Sequence, residues 1–145
     1  MLYTALTRKA MHLCYQAHKD QVDKAGTPYV FHPFHLAEQM SDEYTTITAL
    51  LHDVMEDTDL CLKDLRKEGY PEPVLEALDL LTRRQTQFYM DYVRDIRKNP
   101  IARVVKLADL RHNSDLSRLP CITTADRKRA EKYQAAAALL EGEGE

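Results

Sequence analysis

Residues 47–57 of the chain read Ile47-Thr48-Ala49-Leu50-Leu51-His52-Asp53-Val54-Met55-Glu56-Asp57. The run contains no Pro or Gly and carries apolar side chains at helical spacing, which predicts a helix in the core of the protein. Burial of an ionisable pair such as His52 and Asp53 is unfavourable unless a metal ion or another partner neutralises it. The run therefore predicts a binding site. Glu56 and Asp57, one turn further on, are candidate carboxylates for proton transfer.

Length and composition indicate a single domain. The 145 residues are enough for one hydrophobic core and too few for two ordinary domains. The net charge is −3 and basic residues are mixed with acidic ones, so no broad positive surface for nucleic acid is expected. With only four glycines the chain offers no Gly-rich phosphate loop, and a phosphate has to be bound by side chains or by a metal ion.

The expected location is the cytoplasm. Cys14, Cys61 and Cys121 lie far apart without CxxC spacing, as is typical of reduced thiols. Residues 1–8 are too polar for a signal peptide, and no run approaches about 18 consecutive apolar residues, so no membrane partner is expected. The sequence leaves open whether the protein forms a homo-oligomer.

Helical periodicity recurs along the rest of the chain, and no segment shows the sustained alternation typical of strands. Pro33 suits the first turn of a helix that places His32 at its start, and a later helix is expected over residues 101–116. The sequence predicts an all-α fold of about seven helices around one core. The domain is expected to span residues 1–140, and the Glu- and Gly-rich tail, residues 141–145, to be disordered.

Two further side chains are candidates to complete a metal site with His52 and Asp53. They are His32 and Asp109, and Asp109 stands in an apolar stretch where a carboxylate needs a partner. The alternative is an Asp109 that lies at the surface or forms a salt bridge with Lys106, one turn earlier. Two imidazoles and two carboxylates form a mixed donor set that suits manganese, iron, cobalt or nickel. Such an ion polarises phosphoryl oxygens and acidifies bound water, so hydrolysis of a phosphorylated substrate is the expected reaction.

The two acids that follow have separate expected roles. Glu56 lies four residues after His52 and three after Asp53, on the side of the helix that faces the metal, and is the expected acceptor of the proton of the attacking water. Asp57 is expected to assist as the second carboxylate. The alternative interpretation of Asp57 is a solvent-exposed residue at the end of the helix, without a catalytic role.

An anionic substrate requires some basic side chains near the site. Lys24 is a candidate because of its position in the loop before His32, and Arg111 because it lies two residues beyond Asp109 on the same helix. The alternative for each of the two is a solvated surface position.

Four motifs within residues 17–113 resemble, in order and spacing, the HD-domain hydrolase of the RelA/SpoT homologues. They are Ala17-His18-Lys19-Asp20-Gln21, Lys24-Ala25-Gly26-Thr27-Pro28-Tyr29-Val30-Phe31-His32-Pro33, Leu50-Leu51-His52-Asp53-Val54-Met55-Glu56-Asp57-Thr58, and Val105-Lys106-Leu107-Ala108-Asp109 with His112-Asn113.

The resemblance implies an all-helical, manganese-binding domain that removes the 3′-pyrophosphate of ppGpp and pppGpp, giving GDP or GTP and pyrophosphate. It places the metal ligands at His32, His52, Asp53 and Asp109, the catalytic acid pair at Glu56 and Asp57, and a contact to ribose and base at Asn113.

Some positions depart from the pattern of the family, and they concern recognition of the base. Asp23 stands where many relatives have Arg, Leu110-Arg111 inverts the usual order, and Leu116 replaces a Thr that often contacts the base. Two alternatives therefore stay open. One is hydrolysis of another nucleotide phosphate such as NADPH, and the other is a module that binds a nucleotide without turnover.

Overall fold

The computed structural model describes residues 1–142, which form nine α-helices and one short 3₁₀ helix. The helices are α1 Ala5–His18, α2 Phe31–Glu38, α3 Glu43–Leu51, α4 Val54–Asp57, α5 Leu62–Lys67, α6 Glu72–Leu81, α7 Tyr89–Arg97, α8 Pro100–Asn113 and α9 Thr124–Glu141, with the 3₁₀ helix at Leu116–Arg118. In this described part of the chain the only β-structure is an isolated bridge between Val22 and Pro28. The predicted all-α class is confirmed, and the number of helices is larger than expected. None of these helices is long and apolar enough to cross a bilayer.

Helix α3 is the centre of the core. Its residues 45–51 are all buried, and it packs against α1, α2, α6 and α8. The side chain of Asp42 accepts a hydrogen bond from the Thr45 amide at 2.8 Å and so caps the helix. The prediction of a core helix in this stretch is confirmed as far as Leu51.

The helix does not continue through His52 and Asp53, which corrects the sequence prediction. Helix α3 ends at Leu51, α4 begins at Val54, and Asp53 adopts φ −106° and ψ 0°, in the bridge region between α and β. In a continuous helix the Ala49 carbonyl would accept from the Asp53 amide. Here Nδ1 of His52 lies 2.7 Å from that carbonyl oxygen. The interruption gives His52 and Asp53 orientations that a regular helix does not offer.

Helix α8 carries Asp109 into the core. Asn99 caps its first turn by accepting from the Ala102 amide at 2.9 Å, and Pro100 occupies the first helical position, where its missing amide is not needed. The helix ends at Asn113, three residues before the predicted end, because the chain turns into the 3₁₀ helix. Asp115 caps that turn by accepting from the Ser117 amide at 3.0 Å.

The C-terminal helix is longer than expected. Glu141 is the last residue of α9, and the Gly142 carbonyl accepts from Arg97 at 2.7 Å and from Arg103 at 3.2 Å. The predicted disordered tail is therefore wrong for its first two residues, since these contacts tie the end of α9 to α7 and α8. The remaining tail residues, 143–145, lie outside the described part of the chain.

Removal of the α8 cap should lower stability. We expect Asn99→Ala to lower the free energy of unfolding by about 1 kcal/mol, because the Ala102 amide loses its acceptor. Asn99→Asp keeps an acceptor and should stay close to wild type. Urea unfolding followed by circular dichroism measures both variants, and equal losses in the two would contradict the capping role.

Candidate active site

Three buried side chains from separate parts of the chain form one cluster. His32 comes from the first turn of α2, His52 from the interruption after α3, and Asp109 from α8. One donor atom of each lies within 4.8 Å of the others. Oδ1 of Asp109 is 2.8 Å from Nε2 of His32 and 3.7 Å from Nε2 of His52. The structure thus brings together three of the four predicted metal ligands, and these three could hold a divalent metal ion.

Asp53, the fourth predicted ligand, lies beside this cluster. Its Oδ2 atom is 3.1 Å from Nε2 of His52, and the hydroxyl of Tyr29 donates a hydrogen bond to the same oxygen. Burial alone raises the pKa of the Asp53 carboxyl, but His52 and the Tyr29 hydrogen bond lower it to about 2. Asp53 is therefore a carboxylate with one oxygen directed at the cluster.

The orientation of His52 tests whether the donor set suits a metal ion. Nδ1 has to donate to the Ala49 carbonyl, which leaves the lone pair of Nε2 directed at the oxygens of Asp53 and Asp109. Nε2 is buried and has no well-aligned hydrogen-bond partner. A lone pair that faces two carboxylates needs a cation between them, either a proton or a metal ion. Two imidazole nitrogens and two carboxylates are donors that a divalent transition metal accepts, so the residues fit the ion.

The pKa of His52 also reflects the two carboxylates that face its imidazole. Burial lowers the pKa of the imidazole, but the negative charges of Asp53 and Asp109 outweigh burial and raise it well above its usual value.

Both oxygens of Asp109 are engaged. Nζ of Lys106 lies 2.8 Å from Oδ2, and the Asn113 amide donates to Oδ1 at 2.9 Å. Burial raises the pKa of Asp109, but Lys106, His32 and His52 together hold it well below its usual value. The salt bridge with Lys106 exists, yet Asp109 is only 6% exposed. Of the alternative, the surface position is therefore wrong, whereas the salt bridge with Lys106 is present and accompanies a buried carboxylate.

Glu56 and Asp57 lie on α4, directly after the interruption. Oε1 of Glu56 accepts a hydrogen bond from the Arg83 amide at 3.2 Å, and Oδ2 of Asp57 lies 3.7 Å from Nδ1 of His18. Partial burial and, after it, the charge of Asp53 raise the pKa of both carboxyls. Raised pKa values bring the two acids nearer to the range in which a side chain exchanges protons at neutral pH.

A cavity of about 350 Å³ borders the cluster. It meets the cluster through Tyr29, which contacts Asp53, and through Asn113, which contacts Asp109. Lys24 also lines the cavity, so two of the three predicted substrate-binding residues border one space. The remaining lining residues are Val22, Asp23, Ala25, Asp115, Arg118, Leu119, Arg129 and Tyr133.

The third predicted substrate-binding residue, Arg111, is not brought to this cavity. It is exposed and pairs with Glu141 on α9 at 3.2 Å. Two residues along a helix correspond to a rotation of about 200°, so Arg111 points away from the face that carries Asp109. Its placement corrects the expectation that proximity in sequence would place it near the substrate.

The sequence interpretation missed several residues that line the site. Tyr29 lay in a quoted motif, and its position three residues before His32 could have placed its ring near that imidazole. Arg129 and Tyr133 are four residues apart on α9 and so share a helix face, but no local pattern indicates that this face closes the cavity. Arg118 is the last residue of the 3₁₀ helix, which the sequence did not predict.

The all-helical fold and the buried His/Asp cluster, which could hold a metal ion, are the features of an HD-type domain. Comparison with known proteins agrees with this class. A GTP pyrophosphokinase of Streptomyces coelicolor is 33% identical over 118 residues, which cover 72% of this chain and 14% of the relative. A guanosine-3′,5′-bis(diphosphate) 3′-pyrophosphohydrolase of Borreliella burgdorferi is 32% identical over 132 residues, which cover 77% of this chain and 19% of the relative. The chain thus spans less than a fifth of the length of these curated relatives.

A solved structure of a metazoan SpoT orthologue, described as hydrolysing ppGpp and acting in starvation responses, superposes with a TM-score of 0.76 at 25% identity. The match covers 98% of this chain and 89% of that one. No model of a protein family matches the sequence. The chain belongs with the HD-domain hydrolases of the RelA/SpoT homologues, as the four motifs implied.

The hydroxyl of Tyr29 should matter for the metal site. We expect Tyr29→Phe to weaken metal binding by about 10–100-fold, because Asp53 loses the hydrogen bond that orients its Oδ2. Titration with Mn²⁺ followed by calorimetry measures the affinity. Tyr15→Phe, at an exposed position on α1, is the matched control, and an equal affinity in the two variants would contradict the orienting role.

Proposed function

We propose that the protein is a metal-dependent phosphohydrolase that removes the 3′-pyrophosphate of ppGpp and pppGpp, giving GDP or GTP and pyrophosphate. The observation that carries the proposal is the convergence of His32, His52 and Asp109, with Asp53 beside them, around an imidazole nitrogen that has no hydrogen-bond partner. The names of the relatives and of the solved structure supply the substrate.

The proposed ion is Mn²⁺, since the donor set combines imidazole with carboxylate and contains no thiolate. Held by His32, His52, Asp53 and Asp109, it would polarise a phosphoryl oxygen of the substrate and acidify a water molecule. Lys106 and Asn113 hold Asp109 in place, and Tyr29 holds Asp53, so the protein fixes these two ligands before the ion arrives.

Glu56 and Asp57 exchange protons in the proposed reaction. The oxygen of a water molecule bonds to the phosphorus attached to O3′ of the ribose, and Glu56 accepts a proton of that water. The bond between this phosphorus and O3′ breaks, O3′ takes up a proton, and pyrophosphate leaves. The raised pKa of Asp57 suits a carboxyl that holds a proton for this second step.

The cavity beside the cluster is the proposed site for the nucleoside and its 5′-phosphates. Lys24, Arg118 and Arg129 provide positive charge along its walls, and Tyr29 and Tyr133 provide aromatic surfaces for a base or ribose. Asn113 is the proposed contact to ribose and base. Arg111 is not part of this proposal, because it pairs with Glu141 on another face.

A second candidate keeps the metal site and changes the nucleotide. Asp23 lines the cavity with its Oδ2 atom 3.5 Å from Arg118, so a carboxylate partly neutralises one of the cations that would attract phosphate. This observation favours a nucleotide with fewer phosphate charges than pppGpp, such as NADPH. The non-catalytic alternative is less favoured, because Glu56 and Asp57 accompany the complete set of ligands.

Further properties belong to the same proposal. The catalytic domain, predicted to end at residue 140, extends through the end of α9, the partner is a small-molecule nucleotide rather than a nucleic acid, and the protein acts in the cytoplasm. The three cysteines are free thiols, which agrees with a reducing compartment.

A substrate panel tests the proposal. Purified protein is incubated with Mn²⁺ and with ppGpp, pppGpp or NADPH, and the products are separated by anion-exchange chromatography. We expect GDP and pyrophosphate from ppGpp, and no product from His52→Ala, which loses a ligand. Turnover of NADPH alone would favour the second candidate, and binding without turnover of any nucleotide would favour the non-catalytic module.

Substitution of Glu56 should change the hydrolysis rate and leave the affinity for Mn²⁺ unchanged. We expect Glu56→Gln to bind Mn²⁺ like wild type and to hydrolyse ppGpp about 10²–10⁴-fold more slowly, because the amide cannot accept the proton. Since Glu56 acts only when ionised and burial raises its pKa, the wild-type rate should fall on the acidic side at a higher pH than an exposed glutamate would give. Steady-state rates across pH measure both effects. Glu76→Gln, at an exposed position on α6, is the matched control, and wild-type turnover in Glu56→Gln would exclude this role.

A further inference from the structure

The two histidines of the cluster present the same nitrogen inward but have different partners outward. His52 and His32 both direct Nε2 at the cluster. Nδ1 of His52 faces the backbone carbonyl of Ala49 at 2.7 Å, which can only accept. Nδ1 of His32 faces Nδ1 of His112 at 2.7 Å, a group that can either donate or accept. The backbone therefore fixes a proton on Nδ1 of His52, whereas the position of the ring proton of His32 depends on a side chain.

The proton of His32 has to change nitrogen when a metal ion binds. In the observed arrangement, Nε2 lies 2.8 Å from Oδ1 of Asp109, which suits an N–H donor, and Nδ1 then accepts from Nδ1 of His112. A metal ligand must offer a lone pair at Nε2, so with an ion bound the ring proton of His32 would lie on Nδ1, where it can be donated. His112 can then accept at Nδ1 if its own proton lies on Nε2. Each imidazole keeps one proton in both arrangements, so the exchange is balanced.

Neighbouring groups hold the His112 ring in position beside Nδ1 of His32. Its ring is nearly parallel to that of His32, with the centroids 4.9 Å apart, and it stacks on the ring of His35 at 4.1 Å. The guanidinium of Arg118 donates to its backbone carbonyl at 2.8 Å. The rings of His32, His35 and His112 line a second cavity of about 440 Å³. Stacking from one side and the hydrogen bond to His32 on the other restrict the rotation of His112.

We infer that His112 is a positioning residue of the metal site, because its Nδ1, 2.7 Å from Nδ1 of His32, would accept a hydrogen bond from that nitrogen when an ion is bound and so keep Nε2 of His32 as a ligand. This inference rests on the proposed metal-dependent function, and it adds a residue to which neither the comparisons nor the donor set assign a role. His112 touches neither the reacting atoms nor the ion, and it acts through His32.

Two substitutions separate the hydrogen bond from the stacking. His112→Phe keeps a flat ring between His32 and His35 and removes the acceptor, so we expect Mn²⁺ to bind about 10–100-fold more weakly. His112→Asn places an amide oxygen near the position of Nδ1, and we expect it to restore most of the affinity. Calorimetric titration of the full chain with Mn²⁺ measures both, and His12→Phe, at an exposed position on α1, is the matched control. Melting temperatures of the metal-free variants should stay close to wild type.

A second readout reports the tautomer directly. In protein loaded with diamagnetic Zn²⁺, nitrogen-15 NMR of the imidazoles should show the proton of His32 on Nδ1 in wild type. A proton on Nε2 in the loaded protein would overturn the inference. Equal Mn²⁺ affinity of His112→Phe and wild type would also overturn it, as would equal losses in His112→Phe and His112→Asn together with lowered melting temperatures. Mn²⁺ binding without hydrolysis of ppGpp would instead contradict the proposed function and leave the inference standing.

Discussion

The carboxylate of Asp109 is the point on which the site and much of the core depend. It is buried, and its two oxygens meet His32 from α2, Lys106 and Asn113 from its own helix, and the side chain of His52. A buried carboxylate is unfavourable without such partners. Removal of one partner would leave the charge of the others uncompensated. The cluster therefore fixes the relative positions of α2, α3 and α8 as well as the proposed ligands.

The interruption between α3 and α4 converts a core helix into a site. Helix α3 is rigid because it is buried along most of its length and capped by Asp42. The chain leaves helical geometry at Asp53, directly after His52, whose Nδ1 lies 2.7 Å from the Ala49 carbonyl oxygen. Beside this interruption, Nε2 of His52 lies 3.1 Å from Oδ2 of Asp53 and 3.7 Å from Oδ1 of Asp109. A backbone that departs from regular structure at a functional residue is a common arrangement.

The sequence predicted the fold class and singled out the three side chains that cluster, because a polar residue among apolar neighbours needs a partner. Asp109 in the apolar stretch of α8 and His52 after the buried face of α3 have few explanations besides a shared partner. The four motifs, with their spacing, also predicted the family. These predictions depend on local pattern, which the chain preserves over residues 17–113.

What the sequence could not predict depends on contacts between distant segments or on small departures from regular geometry. The bond from His52 to the Ala49 carbonyl ends α3, and no composition rule signals it. Arg129 and Tyr133 close the cavity because α9 packs on α8 after a turn that was not expected. Arg111 is a different case, since the rotation per residue of a helix already placed it on the face away from Asp109.

The most direct test of the account is a crystal of the full chain grown with Mn²⁺ and measured at an energy where manganese scatters anomalously. The account predicts one strong anomalous peak per chain, within bonding distance of Nε2 of His32, Nε2 of His52 and one carboxylate oxygen each of Asp53 and Asp109. A peak elsewhere, or none between these four side chains at saturating Mn²⁺, would contradict it.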